Sequence, residues 1–200
     1  MLSSITPLGE RGRGRNFMPT ATAYAFGSIV GAGLLGSVLG LVGGALPASL
    51  HLGRAGGWAV AAATAAMGVL LDLRIFGLSL PTIRRQVNEN WLQELRGVVT
   101  GAGFGFQLGL GVVTIVTSSL IYLLWVVALL TGSALTGLVL GTVFGAARSV
   151  TVFAMYDVHR PDQLAAAHRR LAAWARPAHL AALCTGAAVA VFALASAVAA

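Results

Sequence analysis

Long apolar runs alternate along this chain with short breaks rich in arginine, proline and glycine. Four of the runs reach about 20 apolar residues, enough to cross ~30 Å of hydrocarbon, and a fifth is slightly weaker. The pattern predicts an all-α protein, a polytopic transmembrane helical bundle with spans at about 21–47, 56–79, 99–131, 134–156 and 179–199. Pro47 with His51 and Arg54, Pro81 with Arg84 and Arg85, Gly132 with Ser133, and the stretch from Arg160 to Pro177 punctuate them.

The third run is too long for a simple crossing. Residues 97–131 as one straight helix would extend ~52 Å at 1.5 Å per residue. Five glycines between Gly101 and Gly111 predict a kink, an unwound stretch or a cytoplasmic extension there. Pro161 to Arg176 reads instead as an interfacial helix. Leu164, Ala167, Leu171, Trp174 and Ala175 share one face, and Arg169 and Arg176 point away from it. Pro81 to Arg96, with Trp91, Glu89 and Glu94, reads as a shorter counterpart.

Arginine placement gives the orientation, because short cytoplasmic loops retain positive charge. With the amino terminus inside, the cytoplasmic segments hold Arg11, Arg13, Arg15, Arg84, Arg85, Arg96, Arg160, Arg169, Arg170 and Arg176, and the opposite side holds Arg54. The carboxyl terminus is then outside. The apolar run beginning at Ala21 exceeds the ~7–15 residues of a cleavable signal core, so it is read as a retained first span. Residues 1–20 become a flexible cytoplasmic arm and residues 21–200 a single membrane domain.

Composition supports the same class. Only 10% of residues are charged and 57% are hydrophobic, whereas a soluble domain is usually about one quarter charged. All 13 basic residues are arginine, which with abundant Ala, Gly and Val points to a bacterial inner (plasma) membrane protein. The net charge of +7 lies in loops beside apolar spans, so anionic lipid headgroups, not nucleic acid, are the expected partner. Cys184 is the single cysteine, which removes intramolecular disulfides, dithiol relays, cysteine-based metal clusters and paired-cysteine redox carriers.

The sequence also echoes itself. Phe26–Gly33 and Phe104–Gly111 both read FGxxxGxG, and Leu71–Arg74 and Gly145–Arg148 each carry one arginine near the cytoplasmic end of a span. These echoes point to a duplicated two-helix unit plus one extra helix. Gly27, Gly31, Gly36, Gly40 and Gly44 in the first span, and Ser133, Gly137, Gly141 and Gly145 in the fourth, have the small-residue spacing that lets helix backbones approach. Packing within the chain is favoured over a homo- or hetero-oligomer seam. Gly31–Gly36 spells GxGxxG, but lacks the strand and the later acidic residue of a dinucleotide site.

Ionisable groups within spans are costly and mark either a pathway or a snorkelling end. Asp72, Arg74 and Arg148 are these groups, and Asp72 is expected to pair with Arg148 or Arg74 at a shared, shallow depth. Gln107 is the only amide inside a span, and Thr114, Thr117, Ser118 and Ser119 follow it. Asp72, Arg74, Gln107 and Arg148 are therefore the candidate substrate-binding residues. His51, His159, His168 and His179 lack metal-ligand spacing, and no Ser or Cys has a base and an orienting partner. No enzyme activity, cofactor or metal is expected. Two readings follow: a small transporter or permeation component for a small solute or anion, or a non-catalytic membrane subunit or scaffold that packs with partner membrane proteins through its glycine-rich faces.

Overall fold

The computed structural model describes residues 5–46, 53–74, 80, 97–111, 116 and 118–200. Among them the chain is all-helical: α1 (Pro7–Gly12), α2 (Phe17–Ala45), α3 (Arg54–Asp72), α4 (Gly97–Leu110), α5 (Leu120–Leu130), α6 (Ala134–Phe153) and α7 (Pro161–Ala199). α2, α3, α6 and α7 are long and apolar enough to cross a membrane, and α4 and α5 are shorter apolar helices. Thr114, Thr117 and the helix expected over Pro81 to Arg96 lie outside the described residues, as do the loops at Pro47 and Pro81.

α2 lies between α4 and α6. On the α4 side, Gly27 and Gly31 face the backbones of Ala102 and Phe106, while Gly101, Gly105 and Gly109 face Thr20, Tyr24 and Ser28. The numbers rise together, so α2 and α4 run parallel, and the two FGxxxGxG segments are the two sides of one seam. On the α6 side the order reverses. Gly36 meets Gly137, Gly40 meets Ser133, Gly141 meets Ala32, and Gly145 meets Ser28. A Cβ at any of these positions would strike a carbonyl of the neighbouring helix, and Ser28 Oγ donates a 3.0 Å hydrogen bond to Gly145 O across the contact. The glycines at these contacts thus let the helix backbones approach closely within the chain.

A second layer pairs α3 antiparallel with α7. Ala61, Ala62 and Ala193 form its centre, with Trp58 edge-on to Phe192 at 5.7 Å. α5 bridges the layers: it packs against both α2 and α3, and its Leu129 backbone abuts Gly43. Gly132, at φ 59°, makes the turn from α5 into α6, and Ser133 caps α6 through Thr136 N.

Three sequence expectations change. The 99–131 run holds two helices, α4 ending at Leu110 and α5 beginning at Leu120; of the glycine stretch Gly101–Gly111 only Gly111, at φ 74°, leaves the helix, because the glycines before it serve close approach to α2. The separate interfacial helix at 161–176 is the first part of a continuous 39-residue α7. Pro177 lies inside it without ending it, between Arg176 and Ala178 in a stretch rich in alanine, the strongest helix former. The arm at residues 1–20 is folded from Ile5 onward. Thr6 caps α1 by accepting from Gly9 N, Pro7 opens the helix, and Ile5, Phe17, Ala21 and Tyr24 form a buried cluster with Phe104 and Val152.

Candidate functional site

Sequence reasoning nominated four polar groups within spans, and the structure separates them. Asp72 ends α3 and is buried. Its carboxylate accepts from Ser119 N at 3.1–3.2 Å, from Ser119 Oγ at 2.8 Å and from Ser118 Oγ at 3.5 Å. Ser118 Oγ in turn accepts from Leu120 N at 3.3 Å. The amides of Ser119 and Leu120 open α5 and have no partner within that helix, so a carboxylate borrowed from α3 caps it. The expected pairing of Asp72 with Arg148 or Arg74 is therefore replaced by charge-to-dipole capping across the break in the third run.

Arg148 sits elsewhere. Its guanidinium lies over the Phe144 ring at 5.8 Å, the Phe144 ring meets Trp125 edge-on at 5.6 Å, and the Tyr24 phenol lies beside it. It forms no ion pair among the described residues. Gly145, three residues before Arg148 on α6, faces Ser28 of α2, whereas Asp72 is held at Ser119, where α5 begins. Arg74 is exposed in a left-handed backbone conformation at φ 54°, just past the end of α3. Gln107 is half-buried on α4 and makes no hydrogen bond among the described residues. No hydrogen bond or ion pair joins any two of the four.

A polar centre that sequence reasoning missed lies where α1, α2 and α4 meet. Glu10 is 1% exposed; it accepts from Thr20 Oγ at 3.0 Å and pairs with Arg13 Nη2 at 3.0 Å. Gly97, the first residue of α4, lies against the same carboxylate and against Thr20. The available signal was Thr6 followed by Pro7, a helix start that places Glu10 at the end of its first turn. Among the described residues no cluster of His, Cys, Asp or Glu could hold a metal ion.

No family model and no solved structure matches the chain. Curated relatives do. The methylamine utilization protein MauF of Methylophilus methylotrophus is 32% identical over 156 residues, covering 76% of this chain and 53% of that protein. The protein of the same name from Paracoccus versutus is 31% identical over 154 residues, covering 75% and 56%. These relatives overturn the transporter or permeation reading and the transport role that went with it, since they are named for methylamine utilization. The chain spans about half the length of the curated relatives it matches, and over three quarters of its own length it is similar to MauF.

Proposed function

We propose that this chain is a multi-pass membrane protein of methylamine utilization that acts as a non-catalytic helper. The observation that carries this reading is the 32% identity to MauF over most of the chain. Five crossings fit the helix lengths: α2, α3, α4 with α5 as one broken span, α6 and α7. The amino terminus is cytoplasmic and the carboxyl terminus outside, in the inner membrane of a bacterium. The parallel seam of α2 with α4 is the relation that two copies of a duplicated two-helix unit would have. Arg11, Arg169 and Arg176 face the cytoplasmic leaflet, where anionic headgroups attract them.

A helper role agrees with the chemistry of the interior. Among the described residues the buried carboxylates, Asp72 and Glu10, are both used to hold helices together, by capping α5 and by tying α1 to α2. Deletion of the gene in its own host tests the reading. Growth on methylamine as sole nitrogen source is expected to fail while growth on ammonium is kept, with the plasmid-borne chain restoring it. Equal growth of the deletion strain on both would reject the reading.

A further inference from the structure

The turn joining α6 to α7 encloses a cleft of about 440 Å³ against the first turns of α7. Its floor is apolar: Met155 and Val158 are buried, and Ala167 and Leu171 line the opposite wall. The floor is also fixed, because Val158 O accepts from Leu8 N of α1 and Val158 N donates to Met155 O. Asp157 and Arg170 line the same cleft, both exposed, and neither forms an ion pair among the described residues. The other polar side chain of the lining, Gln163, is occupied, since its carbonyl accepts from His159 N and Arg160 N.

From this arrangement we infer that the cleft holds one phospholipid with an ammonium-bearing headgroup, its phosphate on Arg170, its ammonium on Asp157 and its acyl chains over Met155 and Leu171. The inference rests on the membrane-spanning arrangement proposed above. α6 has 20 residues, about 30 Å at 1.5 Å per residue, which matches the hydrocarbon thickness. The turn that follows it therefore falls in the headgroup layer. Trp174, one turn beyond Leu171, is 69% exposed. The volume is that of an ordinary small-ligand site. An anionic headgroup would satisfy the arginine and be repelled by Asp157, whereas a zwitterion satisfies both. The guanidinium suits the phosphate because it offers paired donors, and a primary ammonium suits the carboxylate because it donates hydrogen bonds.

Native mass spectrometry of the full chain, released from nanodiscs of mixed phosphatidylethanolamine, phosphatidylcholine and phosphatidylglycerol, tests this. One phosphatidylethanolamine is expected to stay bound in preference to the other two lipids. Asp157→Asn and Arg170→Gln should each reduce that retention at least tenfold without changing the unfolding temperature, since both side chains are exposed. Preferential retention of phosphatidylglycerol, or of phosphatidylethanolamine undiminished in both variants, overturns the inference. So does equal competition by free phosphoethanolamine, which would identify a soluble ligand. Recovery of the chain in the soluble fraction without detergent is read separately, and it would remove the membrane arrangement itself.

Discussion

Asp72 shows what a single carboxylate does when its residue type is legible and its partner is not. Any acidic residue inside an apolar run must find donors, because an unpaired buried charge is strongly destabilising. The sequence presents arginines as the obvious candidates, yet the donors chosen are the backbone N–H and hydroxyl of Ser119, supplied by the end of a helix. Asp72→Ala should cost about 1–3 kcal/mol, because the amide of Ser119 is left buried without an acceptor. Asp72→Asn keeps an acceptor and should cost less. Unfolding in detergent, followed by circular dichroism, measures both. Glu10 makes a parallel case at the base of α2. Glu10→Ala should release α1 from Thr20, seen as faster proteolysis between Thr6 and Arg15 with the rest of the chain still intact.

At the scale of the helix, glycine has two opposite roles, and position alone decides between them. Gly36 faces the carbonyl of Gly137 with no room for a Cβ, whereas Gly57, near the start of α3, has nothing within 4 Å of where its Cβ would be. Gly36→Ala should therefore cost about 1–3 kcal/mol through overpacking. Gly57→Ala should be neutral or stabilise by up to about 1 kcal/mol through helix propensity. Thermal unfolding of the pair separates the two effects by sign. The same ambiguity explains which elements could be read in advance. The apolar runs and the turn at Gly132 were legible, because length and hydropathy set the first and a positive φ the second. The exact place of the break in the third run was not, since five glycines signal weak helix and tight packing alike. In α4 the packing with α2 prevails, and the helix yields only at Gly111, once the seam has ended at Gly109. The continuity of α7 through Pro177 was hidden for a related reason. Proline marks a break in isolation, but the alanines around it favour the helix strongly enough to carry it through.

For the whole molecule, the layering and the charges make one joint prediction. The register of α2 against α4 and α6 fixes their directions without reference to charge: α4 runs with α2, and α6 runs against it. Arg11, Arg13 and Arg15 then share an end of the molecule with Arg160, while Arg54, which opens α3, lies at the end where Gly43 meets Leu129. Packing and arginine counting are independent routes to this arrangement. A cysteine introduced by Arg54→Cys, in a chain carrying Cys184→Ser, should react with a membrane-impermeant maleimide added to intact spheroplasts. One introduced by Arg169→Cys should react only after the membrane is opened. Labelling of the Arg169→Cys chain from outside, with Arg54→Cys protected, would invert the orientation but keep the packing; labelling of both from outside would require the number of crossings between α3 and α7 to be redrawn, with α4 and α5 counted separately.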